Sequence, residues 1–149
     1  MGGIELKIET DYRGEVEYTE SDVIHFEESM YGFDGLRDFL LIGNLEEELP
    51  FHWLQSIEDS NLTFVITDPF LFVEEYDFEL DEFTTEQLQL ENIADLIVFT
   101  TVIIPENVEE VTVNLKSPII INTKTKKAKQ IILKEDYAYK HSIFKKGEN

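Results

Sequence analysis

The sequence predicts an all-β protein, either a small antiparallel β-barrel or two packed sheets, with one short helix. Apolar and polar residues alternate with a period of two in most segments, which is the pattern of half-buried strands. Short turn sequences separate these segments, as in antiparallel barrels and sandwiches. The 149 residues include no cysteine and 42% are hydrophobic, so a packed core without disulfides is expected. We expect one domain over residues 1–149, with a frayed tail at about 145–149.

The first half of the chain contains six predicted strands. The opening "IELKIE" places Ile4, Leu6 and Ile8 on one face, and "DYRG" then predicts a hairpin turn. The loop "SMYGFDG" and the turn "EDSN" separate later strands, and Asp68-Pro69 ends the last of them. The strands that follow the first span residues 15–19, 23–26, 39–42, 51–57 and 62–67.

The second half contains the predicted helix and four further strands. The sequence "TTEQ" at 84–87 fits a capping box and predicts a helix over roughly 85–90. A buried strand at 96–104 ends at Pro105, and residues 111–115 alternate again. The sequences "PIIIN" and "QIIL" then predict two hairpin arms around a lysine-rich loop.

The strand at 51–57 contains the chain's single tryptophan. Trp53 stands between apolar residues on one face of this strand, which favours a structural role in the core. Gln55 shares that apolar face, so its amide must find hydrogen bonds or cost stability. We therefore expect Gln55 to bond to the backbone or to lie, with Ser56, at the rim of the barrel. The residues that alternation places on this face are Phe51, Trp53, Gln55 and Ile57.

The formal net charge is −20 and is unevenly distributed. Residues 1–115 carry a balance of −26, whereas residues 116–149 carry +6. So much acid either solubilises the surface or forms a face that steers a basic partner. Direct binding to nucleic acid is disfavoured, because neutralising phosphates needs a basic stripe and "KTKKAK" at 124–129 is the only candidate.

The acidic run "EEYDFELDE" at 74–82 is the main candidate site. Asp77, Glu79 and Asp81 alternate with Phe78 and Leu80, so in an extended segment these acids would share a solvated or partner-facing edge. A calcium-dependent β-module that uses this run is the alternative, although the glycine and the terminal glutamate of an EF-hand loop are missing. A hydrolase based on two carboxylates is a third possibility, and it requires two acids that face each other in a cleft.

No catalytic residue, metal site or cofactor is assigned from these patterns. His25, His52 and His141 are scattered and lack the spacing of metal ligands. The N-terminus shows no secretory signal, and the longest apolar stretch is too short to span a bilayer. We therefore expect a cytoplasmic protein with no membrane partner.

Several motifs, in the same order and spacing, make the chain resemble the flagellar assembly factor FliW family. They include "GFDGLRDFLLI", "PFHWLQSIEDSNLTFVITDPF" with the following "YDFEL", and "VTVNLKSPIIINTKTKKAKQIIL". The resemblance covers nearly the whole chain. The motif positions, which we interpret as structural or as parts of the rim, include Trp53, Gln55, Ser56, Asp68, Pro69, Asn114, Pro118, Asn122 and Gln130.

One loop departs from the pattern of that family. The family usually has glycine, an apolar residue and then Pro-Gly-Phe, whereas this chain has Ser29-Met30-Tyr31-Gly32-Phe33. Serine and tyrosine therefore replace a glycine and the proline. A contact that depends on this loop is expected to differ in this chain.

The resemblance implies a β-barrel-like protein without enzymatic activity or cofactor, which we expect to be a monomer. Members of the family bind the carbon storage regulator CsrA, a dimeric RNA-binding repressor of flagellin translation, and also flagellin itself. Newly made flagellin titrates the factor away from the repressor, and export of flagellin releases it again. The amphipathic terminal helices of flagellin would suit an apolar groove with a polar rim.

The acidic run would then meet the basic surface of the repressor. Its acids would steer association, and aromatic residues beside them would supply apolar anchors. The expected acidic contacts are Glu74, Glu75, Asp77, Glu79, Asp81 and Glu82, with Phe72, Tyr76 and Phe78 as the anchors.

Overall fold

A computed structural model describes residues 5–10, 14–43 and 50–144, and in these residues it contains eleven strands and one short α-helix. The all-β prediction with one short helix is confirmed. The strands before the helix are β1 (Leu6–Thr10), β2 (Gly14–Tyr18), β3 (Val23–Phe26), β4 (Asp38–Ile42), β5 (Phe51–Ser56) and β6 (Thr63–Thr67). The later elements are α1 (Glu82–Gln87), β7 (Leu96–Ile103), β8 (Thr112–Val113), β9 (Ile119–Asn122), β10 (Lys127–Gln130) and β11 (His141–Ser142).

Seven of the described strands close into a barrel in the order β7-β6-β5-β4-β3-β10-β9, and β9 pairs back with β7. All of these pairs are antiparallel except β3 with β10, which is parallel. The predicted barrel is therefore correct, with one parallel pair that alternation could not reveal. Beyond the barrel, β8 pairs with β7, and β11 pairs with β8. Closure leaves the backbone groups of the barrel strands paired within the ring.

The interior of the barrel is filled by apolar side chains from all seven strands. Alternation sends every second residue of a strand inward, so one face of each strand contributes to a single cluster. Met30, in the loop after β3, joins this cluster and is 2% exposed. The strand residues of the cluster are Ile24, Phe26, Phe39, Leu54, Ile66, Phe99, Ile119, Ile121 and Ala128.

A second apolar cluster lies on the outer face of β5, β6 and β7. Phe51, Val65 and Val98 pack against it, and each is an odd number of residues from the interior residue of its own strand (Leu54, Ile66 and Phe99), so it points to the opposite face. The segment after β6 and the C-terminal residues cover this face. Strand β7 is therefore buried on both sides, which explains its nearly continuous apolar sequence. The buried members are Tyr76, Val102, Val111, Val113, Leu115 and Leu133.

Strands β1 and β2 form a separate antiparallel hairpin, as predicted. Leu6 pairs with Tyr18 and Ile8 pairs with Val16, so apolar residues share one face. On the other face, the ammonium of Lys7 lies 3.6 Å from the carboxylate of Glu15. The predicted strand residue Ile4 and most of the "DYRG" turn lie outside the described residues, as does the predicted frayed tail.

Several predicted boundaries are wrong, and two of the differences are large. The helix begins at Glu82 rather than at 85, because the Asp81 side chain caps it by accepting a bond of 2.8 Å from the Thr84 N–H. The second arm of the C-terminal hairpin spans Lys127–Gln130 rather than the predicted 130–133, so half of the lysine-rich segment is strand rather than loop. Lys126, with a φ of 62°, lies in the turn that precedes this arm.

Candidate partner-binding surfaces

The acidic run at 74–82 is not a strand, which corrects the extended geometry used to predict its face. Its residues follow a 3-10 turn at Pro69–Leu71 and take turn or irregular conformations until α1 begins. The six acids nevertheless remain on the surface. All of them are exposed, namely Glu74, Glu75, Asp77, Glu79, Asp81 and Glu82.

Tyr76 holds this segment against the barrel. It is 2% exposed, and its hydroxyl donates to the Leu115 carbonyl at 2.6 Å. Its ring meets that of Tyr137 edge-on at 4.8 Å, and the Asp77 N–H donates to the Tyr137 hydroxyl at 3.0 Å. Burial, together with Tyr137 and Glu135, raises the pKa of the Tyr76 hydroxyl, which therefore stays a donor. Tyr76 is thus a core residue, and its predicted role as a surface anchor is wrong.

A groove of about 730 Å³ lies between the acidic segment, the residues after α1 and β7. The charged side chains among its described lining residues are all acidic: Asp77, Glu79 and Glu91. Its apolar lining includes two well exposed side chains, Phe70 at 44% and Ile93 at 71%. We call this the acidic groove. Half-buried Phe78 also lines it, whereas Phe72 is half-buried outside the groove lining.

The family-motif residue Asn122 fixes the end of α1 and so one wall of the acidic groove. Its side-chain amide donates to the Leu88 carbonyl at 2.9 Å and to the Gln89 carbonyl at 3.2 Å. Its carbonyl oxygen accepts from the Lys124 N–H at 2.9 Å. The Asn122 side chain, which is 2% exposed, therefore supplies hydrogen-bond partners both to the carbonyls at the end of α1 and to the backbone of the β9–β10 turn.

Three lysines of the "KTKKAK" cluster pair with acids in the segments next to β3 and β7. The pairs are Lys124 with Asp95 at 3.7 Å, Lys127 with Glu27 at 2.7 Å, and Lys129 with Glu28 at 3.0 Å. Lys129 also donates to the Gln87 side chain at 2.7 Å, which ties α1 to β10. The hydrogen bonds from Lys129 and Gln87 hold the pKa of Glu28 below its usual value. This internal pairing leaves less of the cluster available to phosphates.

The strand with the single tryptophan contains both buried and partly exposed residues. Gln55 is 1% exposed, and its amide donates to the carbonyls of Ser56 and Ser60 at 3.0 and 3.2 Å, so the expected backbone bonds are confirmed. The Ser56 hydroxyl accepts from the Asp59 N–H at 3.0 Å and shapes the turn after β5. Trp53 is only half-buried, on the outer face between the strands of Ile42 and Val65. It is therefore not the enclosed core residue that its apolar neighbours suggested.

The remaining motif residues stabilise turns or continue the pairing of two strands. Asp68 accepts from the Phe70 N–H at 2.9 Å, and buried Pro69 starts the 3-10 turn that follows. Asn114 accepts from the Ser117 N–H at 3.0 Å. The Pro118 carbonyl accepts from the Ile131 N–H at 3.0 Å. These bonds agree with the structural interpretation of the motif positions.

A second groove, which sequence analysis missed, occupies about 490 Å³ near the departing loop. Among its described lining residues none is charged, and we call it the uncharged groove. The motif residues Asn114 and Gln130 line this groove together with residues of the departing loop. The motif residues and the unusual loop are the sequence signals that could have indicated the groove. The large apolar side chains exposed along it are Tyr31, Ile103, Ile132 and Tyr139.

The described residues contain no group of three or more potential His, Asp or Glu ligands that could hold a metal ion. The acids at 74–82 therefore do not converge as a calcium cage would require. No helix among the described residues is long and apolar enough to cross a membrane.

Comparison with known proteins identifies the family. The family model described as "FliW protein" matches residues 7–143. The flagellar assembly factor FliW of Alkaliphilus metalliredigens is 46% identical over 137 residues, covering 91% of this chain and 85% of the relative. That of Caldanaerobacter subterraneus subsp. tengcongensis is 45% identical over 145 residues, covering 97% of each.

A solved structure agrees with these relatives. The crystal structure of a flagellar assembly factor FliW superposes with a TM-score of 0.88 at 35% identity, covering 95% of this chain and 99% of the other. Fold and surface together define a β-barrel with two surface grooves. The chain belongs to the FliW family of flagellar assembly factors.

Proposed function

We propose that this protein is a non-enzymatic regulator in the cytoplasm that binds two protein partners in turn. One partner is the RNA-binding repressor CsrA, and the other is flagellin. While flagellin is abundant it occupies the protein and the repressor stays active; when flagellin has been exported, the protein antagonises the repressor. No cofactor is needed for such a switch, and a monomer is sufficient for it.

The acidic groove is the observation that carries the proposal. An RNA-binding protein presents basic side chains to phosphates, so an acidic face is complementary to it. The apolar side chains of Phe70, Phe78 and Ile93 beside the acids provide area that can be desolvated. Charges alone would not be sufficient, because each exposed ion pair contributes only about 0–1 kcal/mol.

The acids should act mainly on the rate of association. Steering by a surface of one sign raises association rates by roughly 10–10³-fold, and salt screens it over about 8–10 Å. The apolar floor should instead determine how long the complex persists. The two contributions are therefore separable by kinetics.

The test is the association rate of CsrA, measured by surface plasmon resonance or stopped flow at low and high salt. Reversing Asp77, Glu79 and Glu91, the three acids that line the acidic groove, to lysine should slow association and flatten its salt dependence. The matched control reverses Glu106, Glu109 and Glu110, which are exposed acids outside the acidic groove. The proposal fails if both triple variants change the association rate equally, or if the rate depends neither on salt nor on the reversal. The acidic residues would then serve only to keep the protein soluble.

A further inference from the structure

One wall of the acidic groove is a short segment between α1 and β7. We call residues 88–95 the wall segment, and its residues 91–94 are all exposed. Leu90, Glu91 and Ile93 line the groove from this side. Ile93, at 71%, is the most exposed large apolar side chain in the described part of the chain. It lines the same groove as Phe70, and exposed apolar side chains grouped beside acids are typical of an interaction site.

Packing does little to hold the middle of the wall segment in place. A further cavity, of about 520 Å³, lies between this segment and the turn that joins β9 to β10. Leu90 and Glu91 border both the acidic groove and this cavity, whereas Lys124 and Thr125 border the cavity from the turn. The wall segment therefore has open space on two sides, and its position must be fixed at its ends.

The β9–β10 turn fixes both ends of the wall segment. At the start, the Leu88 carbonyl accepts from the Asn122 amide at 2.9 Å and from the Thr125 hydroxyl at 3.0 Å. At the end, the Asp95 carbonyl accepts from the N–H and from the hydroxyl of Thr123, each at 2.8 Å. These donors lie within four consecutive residues, so the two ends keep a fixed separation. Such pre-organisation lowers the conformational entropy that a binding partner would otherwise have to remove.

A 3-10 turn inside the wall segment presents Ile93 to solvent. The turn spans Ile93–Asp95, and the Asn92 side chain caps it by accepting from the Ala94 N–H at 3.0 Å. The Asp95 N–H donates to the Asn92 carbonyl at 2.9 Å. The backbone around Ile93 is therefore held although the side chain of Ile93 is solvated.

We propose that Ile93 determines the specificity of the acidic groove and that the hydroxyls of Thr123 and Thr125 position it. The inference rests on the proposed function and deepens it. The acids alone would attract any polycation, because attraction between exposed charges is not selective. A polycation without apolar surface leaves Ile93 in water, whereas a basic protein with an apolar patch beside its basic side chains buries it. The partner that this groove selects therefore carries both features.

Titration calorimetry with CsrA and, separately, with an oligolysine peptide tests the contact. Ile93→Ser should weaken CsrA binding about tenfold or more, as expected for the loss of a central apolar contact. It should leave oligolysine binding within about twofold, because the acids are unchanged. The matched control is Val108→Ser, at the first residue of another Asn-capped 3-10 turn, which is 62% exposed and lines neither groove. That variant should change neither affinity.

Hydrogen–deuterium exchange of the free protein tests the positioning. Thr123→Val combined with Thr125→Val keeps the shapes of the side chains but removes both hydroxyls. Exchange in residues 89–95 should become about fivefold faster or more, because each lost hydrogen bond makes local opening easier, while exchange in β5 stays unchanged. CsrA affinity should fall about threefold, because the partner must then order the segment. Thr123→Ser combined with Thr125→Ser keeps the hydroxyls and should match the wild type in both measurements.

Four outcomes would overturn the inference. If Ile93→Ser binds CsrA as tightly as the wild type, Ile93 is not a contact, although CsrA binding by the wild type still supports the proposed function. If Ile93→Ser weakens CsrA and oligolysine binding equally, the substitution acts through the acids and not through an apolar contact. If the double valine variant exchanges residues 89–95 no faster than the wild type, the turn does not position the wall segment. If the wild type does not bind CsrA, the proposed function fails and the inference fails with it.

Discussion

The Tyr76 hydroxyl donates to the Leu115 carbonyl at 2.6 Å and fastens the acidic segment to the strand system outside the barrel. The segment itself has irregular structure, so this buried bond and the neighbouring aromatic rings replace the ladder hydrogen bonds that a strand would have provided. The position of the exposed acids therefore depends on a core residue within their own sequence.

Tyr76→Phe should destabilise the protein by about 1–3 kcal/mol, because the buried Leu115 carbonyl would be left without this partner. Urea unfolding measures the difference in the free energy of unfolding. The matched control is Tyr139→Phe, at an exposed tyrosine, where the change should stay within about 0.5 kcal/mol. Equal effects at the two positions would show that the bond to Leu115 contributes nothing.

Trp53→Ala should cost less than Leu54→Ala, although tryptophan is the larger side chain. Leu54 is fully enclosed in the barrel, where truncation costs about 2–5 kcal/mol. Trp53 is half-buried, so we expect about 1–3 kcal/mol, below the roughly 3–5 kcal/mol of an enclosed aromatic residue. Urea unfolding of the two variants gives the comparison.

If Trp53→Ala destabilises the protein more than Leu54→Ala does, Trp53 is an enclosed core residue. If Trp53→Ala keeps the stability of the wild type but loses a partner, Trp53 is a contact residue instead.

The Glu28–Lys129 pair should contribute to stability only while Glu28 is ionised. Its pKa is lowered in the folded protein from 4.5, so the contribution is present above that value and is lost as pH falls through the folded pKa. The glutamate side chain is 58% exposed, so the contribution should stay below about 1 kcal/mol. Glu28→Gln should therefore be less stable than wild type at pH 7, and the gap should close at acid pH.

Thermal unfolding of both proteins between pH 3 and 7 measures that gap. Glu58→Gln is unsuitable as the control, since its carboxylate accepts the backbone N–H groups of Arg37 and Asp38. Glu86→Gln, at an exposed glutamate of α1 next to Gln87, serves instead. A gap that persists unchanged at low pH would contradict the ionic account.

Alternation was sufficient to predict most strands, because the apolar residues of a barrel strand with one buried face recur at every second position. It failed at the acidic segment, where the alternating acids follow turns and where Tyr76, in the same run, is drawn into the core by a bond to a residue distant in sequence. The prediction that Trp53 is enclosed was also wrong, because a strand face rich in apolar residues is not always covered by other parts of the protein. Period-two patterns identify faces, and only the topology decides which face is enclosed.

The two grooves differ in how predictable they were. Composition indicated two of the three acids of the acidic groove, Asp77 and Glu79, since they belong to a conspicuous run, whereas Glu91 lies outside that run. The uncharged groove is assembled from residues between Met30 and Tyr139 that only closure of the barrel brings together. The motif residues Asn122 and Gln130 could be recognised in sequence, but their roles at a helix end and beneath a loop required the hydrogen bonds themselves.

Hydrogen–deuterium exchange of this protein alone and with CsrA tests the central claim most directly. The account predicts that CsrA slows exchange in residues 70–80 and 90–93, which border the acidic groove, and leaves residues 30–33 and 101–103, which border the uncharged groove, unchanged. Protection confined to the hairpin of β1 and β2, or to the uncharged groove, would contradict it.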